Sequence, residues 1–201
     1  MRVIVIGGTG TIGKAVVKEL APRHEVVVAG QKSGDLQVNM NDPKSIEKMY
    51  QAAGKFDAVI VTAGKVHFGA LSEMTAEHYG IGLQAKLMGQ VNIVLLGLPY
   101  INDGGSFTLT SGILNHDPIR LGSSASMVNG ALEGFITGAA IEMPRGLRIN
   151  VVSPTVITEA MDAYAEYFRG FPPVSAVEAA LAYSKSVEGA QTGRVYRVGF
   201  A

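Results

Sequence analysis

Four apolar residues in succession, Val3-Ile4-Val5-Ile6, run straight into Gly7-Gly8-Thr9-Gly10-Thr11-Ile12-Gly13 and then into a helical stretch from Lys14 to Leu20. An unbroken apolar tetrad suits a parallel strand covered on both faces, which commits the chain to helices on both sides of a sheet. Gly7, Gly10 and Gly13 then sit at every third position where the chain leaves that strand. The first can take a tight turn, the second lets the backbone approach a pyrophosphate, and the third lets the helix lie against the sheet. The helix start adds free N–H groups and a partial positive charge. Thr9, Thr11 and Ile12, between the glycines, complete the candidate phosphate loop. Glycines also punctuate ordinary turns, so the string draws its weight from the strand before it and the helix after it.

Beyond this unit, short apolar runs alternate with longer helical patterns. Strands are expected near 2–6, 25–29, 36–39, 57–61, 105–110, 147–152 and 194–199, and helices near 11–20, 43–53, 75–98, 123–143, 159–168 and 175–188. The fold class that follows is α/β: a Rossmann-type, doubly wound parallel β-sheet with helices on both faces. Right-handed crossovers gather the C-terminal ends of its strands into one ligand edge. No repeat or linker divides the sequence, so residues 1–201 read as a single domain, with a short substrate lid near 155–173.

With 17 basic and 17 acidic residues and 47% hydrophobic content, the chain can bury a substantial core and gives no electrostatic reason to expect nucleic acid or an anionic membrane as partner. It has no cysteine, which removes disulfides and thiolate metal sites and fits a reducing, cytoplasmic setting. Four histidines without helical i, i+4 pairing give no metal-ligand spacing. The expectation is a protein without leader, membrane span or metal.

Several segments together resemble the short-chain dehydrogenase/reductase superfamily, and the resemblance spans essentially the whole chain. Thr62-Ala63-Gly64 stands where that family usually has Asn-Ala-Gly. Arg148-Ile149-Asn150-Val151-Val152-Ser153-Pro154 is similar to its Arg-Val-Asn-x-Val-x-Pro-Gly passage, and Thr192-Gly193-Arg194-Val195 also fits. The resemblance implies a nicotinamide dinucleotide cofactor, with Asn39 and Met40 flanking the adenine and Thr62, Ala63 and Gly64 along the ribose. It further implies contacts from Asn129, Pro154, Thr155 and Ile157. Asn39 stands where the family commonly has aspartate.

Charge at the end of the second strand separates the two cofactors. An acid there would bind the ribose hydroxyl of NAD and repel a 2′-phosphate. Gln31, Lys32 and Ser33 offer instead an amide, an ammonium and a hydroxyl, all able to donate to a phosphate. NADP(H) is the expected cofactor, with NAD(H) the alternative because Asp35 lies close by.

The expected chemistry is rewritten. The family pairs a tyrosine with a lysine four residues later, whose charge lowers the phenol pKa from its usual value of about 10. Aligning Gly130-Ala131-Leu132-Glu133-Gly134-Phe135 with the family's helix places Ala125 at the tyrosine position and Asn129 at the lysine position. None of the seven tyrosines has a lysine four positions on.

Three other residues are candidates for chemistry. Ser111 follows the strand Phe107-Thr108-Leu109-Thr110 at the place of a carbonyl-polarising serine, although Gly112 takes that place in a one-residue shift; a serine beside glycine is also ordinary turn chemistry. Lys86, in Lys86-Leu87-Met88-Gly89, stands where the family has an asparagine, and reads either as a replacement cation or as a surface lysine. His116, in Asn115-His116-Asp117-Pro118, titrates in a useful range but also suits a turn. His67 has weaker claims of the same kind.

Two functions remain open: a divergent NADP(H)-dependent oxidoreductase acting on a small carbonyl or alcohol, or a catalytically silent dinucleotide binder such as a redox sensor or scaffold. The apolar residues Met127, Val128, Leu132, Phe135 and Ile136 give the 123–143 helix more than one apolar side. A homodimer or homotetramer through the two long helices is the expectation that the resemblance adds.

Overall fold

Alternate residues of the first strand go to different cores. In β1 (Arg2–Ile6), Val3 and Val5 join one apolar cluster while Ile4 and Ile6 join another, and none is more than 1% exposed. The tetrad is therefore buried on both faces, as its composition requires. The computed structural model describes residues 1–201. Its seven strands are β1, β2 (Glu25–Gly30), β3 (Leu36–Gln37), β4 (Phe56–Val61), β5 (Ile101–Thr110), β6 (Arg148–Pro154) and β7 (Val195–Val198). They form one sheet in the order β3-β2-β1-β4-β5-β6-β7, and every pairing is parallel.

One face carries α1 (Thr11–Leu20) and α7 (Ala176–Glu188), with Val16, Leu20, Ala180 and Tyr183 on Val3, Val5, Ala58 and Ile60. The other carries α2 (Pro43–Ala53), α4 (Gly89–Gly97) and α5 (Ser123–Ala140), with Ile46, Met49, Ile93, Leu132 and Ile136 on Ile4, Ile6, Val59 and Val61. Each fully buried aliphatic side chain contributes about 1.5–3 kcal/mol, which makes this double sandwich the main source of stability. Some of the polar groups buried within it are paired, as at Tyr50, whereas the hydroxyls of Ser106 and Ser153 have no partner. The Tyr50 hydroxyl donates to the Ile93 carbonyl at 2.7 Å, and burial raises its pKa well above the usual phenol value. Local signals mark the helix starts. Asp42 caps α2 by accepting from the Lys44 amide, with Pro43 at the first helical position, and Ser175 with Glu178 forms a capping box on α7.

Three expected helices differ. The 75–98 stretch is α3 (Ala76–Gly82), a six-residue π-helical segment Leu83–Met88, and then α4. Glycines at 80, 82 and 89 weaken the α-helical ladder there, and the widened turn carries Lys86 inward to polar partners. The 123–143 helix stops at Ala140, the residue whose carbonyl Pro144 could not bond, and would meet with its ring, if the helix continued. Of the 159–168 helix only α6 (Met161–Tyr164) forms, preceded by a short 3₁₀ turn; the amides of Tyr167 and Phe168 both fold back to the Tyr164 carbonyl. No helix is long and apolar enough to cross a membrane.

Candidate cofactor and active site

The strand order reverses between β1 and β4, so their C-terminal ends open a crevice at the switch point of the sheet. The glycine loop closes one side of it. Gly7 has φ +83°, a left-handed conformation that side chains disfavour, and its amide donates to the Ala29 carbonyl at 2.8 Å. The Gly10 amide donates back to the Gly7 carbonyl at 2.9 Å. A Cβ on Gly13 would collide with that same carbonyl, so only glycine lets α1 approach so closely. Gly10 caps α1 without a side-chain hydrogen bond, and no acidic residue occupies the first turn. The helix therefore points unneutralised N–H groups at the crevice.

Two chambers lie along this edge and share Ala63 and Gly64 as a common wall. The larger, about 540 Å³, is bounded by Gly7 and Thr9, by Gln31, Lys32 and Ser33 at the end of β2, and by Asn39 and Met40 after β3. The Ser33 hydroxyl donates to Thr9 Oγ1 at 3.2 Å, tying the loop after β2 to the glycine loop. The smaller, about 260 Å³, brings together Ile12, Thr62, Lys86, Ser111, Asn129, Pro154 and Thr155. Thr155 is buried and its hydroxyl has no protein partner, leaving a polar group free for a ligand. A cradle that a Cβ would fill, two joined chambers and this orphan hydroxyl together fit an extended dinucleotide.

Lys86 is the one cation in the smaller chamber. Its ammonium donates to the Ser111 carbonyl at 2.9 Å and to Asn129 Oδ1 at 2.7 Å, while Asn129 Nδ2 donates to the Gly112 carbonyl at 3.1 Å. Burial pushes the Lys86 pKa down to about 8. Its stem lies against Gly64, where an added Cβ would stand 2.7 Å from Lys86 Cγ. Lys86 is thus an inward-facing group that meets Asn129 directly. Ala125 lines the same chamber as a buried methyl group.

Ser111 and Gly112 divide the serine position between them. The Ser111 hydroxyl turns to Glu133, donating to Oε1 at 3.1 Å, whereas a Cβ on Gly112 would face Asn129 Nδ2 at 3.3 Å. Glu133 Oε2 also pairs with His116 Nε2 at 2.8 Å. His116, Glu133 and Ser111 form a chain from a partly exposed imidazole, through a carboxylate, to a buried hydroxyl at the chamber wall. Glu133 is absent from the sequence-derived candidates, although its spacing was a signal: 125, 129 and 133 follow one another by four on one helix face.

Other expected residues lie outside the linings. Gly10, Thr11 and Gly13 shape the loop and helix start without bounding either chamber. Ile157 packs with Ala176 and Ala179 under α7, and His116 reaches the site only through Glu133. His67 stacks on His78 with ring centroids 4.1 Å apart. Sequence reasoning also missed Val66 and Leu114, which join Phe168 in the chamber's apolar wall. No three His, Cys, Asp or Glu side chains converge as a metal-ligand set.

A family profile described as enoyl-(acyl carrier protein) reductase matches residues 4–195. The chain belongs to the short-chain dehydrogenase/reductase superfamily. Among solved structures, the protein lin1944 from Listeria innocua is 49% identical with a TM-score of 0.97, over 98% of this chain and 99% of that one. A small-chain dehydrogenase in complex with NADPH is 28% identical with a TM-score of 0.88, over 98% and 96% of the two chains. Among curated relatives, an uncharacterized oxidoreductase of Methylorubrum extorquens is 26% identical over 78% of this chain and 73% of its own. Trihydroxynaphthalene reductase of Colletotrichum orbiculare is 25% identical over 86% of this chain and 70% of its own. The superfamily's fold is thus present in a chain where no tyrosine has a lysine four residues later.

Proposed function

We infer that this protein is an NADP(H)-dependent oxidoreductase that reduces a small carbonyl compound, or oxidises the matching alcohol, with a proton source other than tyrosine. The observation that carries the reading is the inward-facing, half-buried Lys86 ammonium in the chamber next to an intact glycine loop. The dinucleotide would be held by the glycine loop and α1, by Asn39 and Met40, and by Thr62, Ala63 and Gly64. Pro154 and Thr155 would meet its far end. Gln31, Lys32 and Ser33 supply donors and one positive charge where a 2′-phosphate would lie, which favours NADP(H) over NAD(H). A structural relative carries NADPH, in agreement with that preference.

When bound, the nicotinamide supplies or accepts the hydride. Lys86 holds a proton at Nζ with a pKa of about 8, close enough to neutrality for general acid or base work. Ser111 offers a hydroxyl at the wall, and His116 offers a partly exposed exchangeable proton connected to it through Glu133. The wall of Val66, Phe68, Leu114 and Phe168 excludes water and selects an apolar substrate. Residues 155–173 act as the lid, with Phe168 packed on Ile113 and Leu114.

Assembly as a homodimer or homotetramer is part of the same reading. It is supported by an apolar groove between α4 and α5 edged by Leu95, Leu98, Phe135 and Met143, with Leu95 52% exposed. A cysteine-free chain suits the cytoplasm.

The testing experiment is titration with NADPH and NADH followed by NADPH oxidation with a panel of aldehydes, ketones and quinones. The reading requires tighter binding of NADPH and turnover above the enzyme-free rate. Clear binding with no turnover on any compound hands the function to a silent binder, the reading that Ala125 favours.

A further inference from the structure

Lys86 stands at the waist between the two chambers. It lines the smaller one, its neighbour Ala85 lines the larger, and Gly64, which bounds both, packs on its stem. An ammonium has three N–H donors. Two are taken by the Ser111 carbonyl and by Asn129 Oδ1, and the protein offers the third no acceptor. A cation buried only as a clamp between two helices would be a poor stabiliser, because its desolvation rivals what the hydrogen bonds return. The unused donor at the chamber wall calls for an acceptor from a ligand.

Resting on the functional reading above, we propose that Lys86 is a cofactor-binding residue whose remaining N–H meets the sugar hydroxyls on the nicotinamide side of the dinucleotide, and that Asn129 is its positioning residue. An extended dinucleotide with its pyrophosphate held by the glycine loop would bring its next sugar to the waist between the chambers. Asn129 is oriented to hold the lysine there, because its amide nitrogen donates to the Gly112 carbonyl and so leaves the amide oxygen facing the ammonium. The π-helical turn makes the arrangement possible by carrying a side chain of the 83–88 segment inward to α5. Lysine and asparagine act as one unit contributed by two helices.

A reciprocal exchange tests this by cofactor affinity alone, with folding checked by thermal melting without cofactor. Lys86→Met keeps the stem and removes the charge, and should weaken NADPH binding about tenfold to hundredfold. Asn129→Lys alone puts two ammonium groups together and should also weaken binding. Lys86→Asn combined with Asn129→Lys restores one cation and one amide and should recover affinity to within about threefold of wild type. A second readout is pH. Wild-type affinity should fall as pH rises above about 8, and the Lys86→Met variant should not follow. The groups facing the ammonium are the Asn129 amide from α5, the Ser111 carbonyl from the end of β5 and Gly64 after β4, none of which titrates; the acid one turn along α5, Glu133, is held by Ser111 and His116. If wild type does not bind NADPH, the functional reading fails and takes the assignment with it. If wild type binds and Lys86→Met binds equally well, the assignment alone is overturned. Should the exchanged double variant not fold, Lys86→Met and the pH series decide between these outcomes.

Discussion

The Ser111 hydroxyl donates to Glu133 Oε1 at 3.1 Å, so the serine beside the chamber is steered by a carboxylate two helical turns from Ala125. Ser111 is buried, and removing its acceptor leaves a hydroxyl that must find another. Glu133→Ala should lower the unfolding free energy by about 1–3 kcal/mol in urea denaturation. Combining it with Ser111→Ala should cost less than the sum of the two single changes. Strict additivity in that cycle would show that the two side chains do not cooperate.

Lys86 gives a pH signature without any cofactor. Its folded pKa lies at about 8 and its unfolded value near 10.5, so between those values the unfolded chain holds a proton that the folded chain has released. Stability from this group therefore rises with pH across that window, and its penalty is fully present below pH 8. The unfolding free energy of wild type relative to Lys86→Met should climb by about 1–2 kcal/mol from pH 8 to 10, a figure that allows for the partial exposure of the side chain. Tyrosines titrate in both proteins and cancel in the difference. A flat difference would remove the case for a proton-poor lysine.

Lys32 lines the larger chamber beside Gln31 and Ser33, where the proposed reading puts the phosphate that distinguishes NADP(H) from NAD(H). Lys32→Glu should weaken NADPH about tenfold to hundredfold by replacing an attraction with a repulsion. NADH affinity should change little. Equal losses for both nucleotides would place the lysine's effect on the fold of the loop instead.

Gly13 is the tightest joint of the phosphate loop, because its missing side chain is what admits the Gly7 carbonyl. Gly13→Ala forces that contact apart and should cost about 1–3 kcal/mol of stability together with loss of NADPH binding. Equilibrium denaturation and a binding titration check both halves.

Most of the frame was readable from residue order. The Val3–Ile6 tetrad announced a doubly covered strand, and the alternation of apolar runs with helical patterns gave seven parallel strands and the ligand edge they share. Gly7, Gly10 and Gly13 marked the loop for steric reasons that act within a few residues. The smaller chamber was less readable because its contacts are long-range. Ser111 and Glu133 meet only after β5, the following loop and α5 have assembled. The π-helical segment escaped because its side-chain period differs little from that of an α-helix over six residues. The 159–168 pattern read as a helix from its periodicity, whereas Phe168 is drawn off to pack with Ile113 and Leu114 at the chamber.

Gly64 carries two obligations at once, since one small residue both partitions the crevice and leaves room for the lysine stem. Any bulk added there would displace the cation and narrow the passage in a single stroke. Lysine placement and the route for a long ligand are consequently coupled at this position, and a change that loosens one cannot be repaired without reshaping the other.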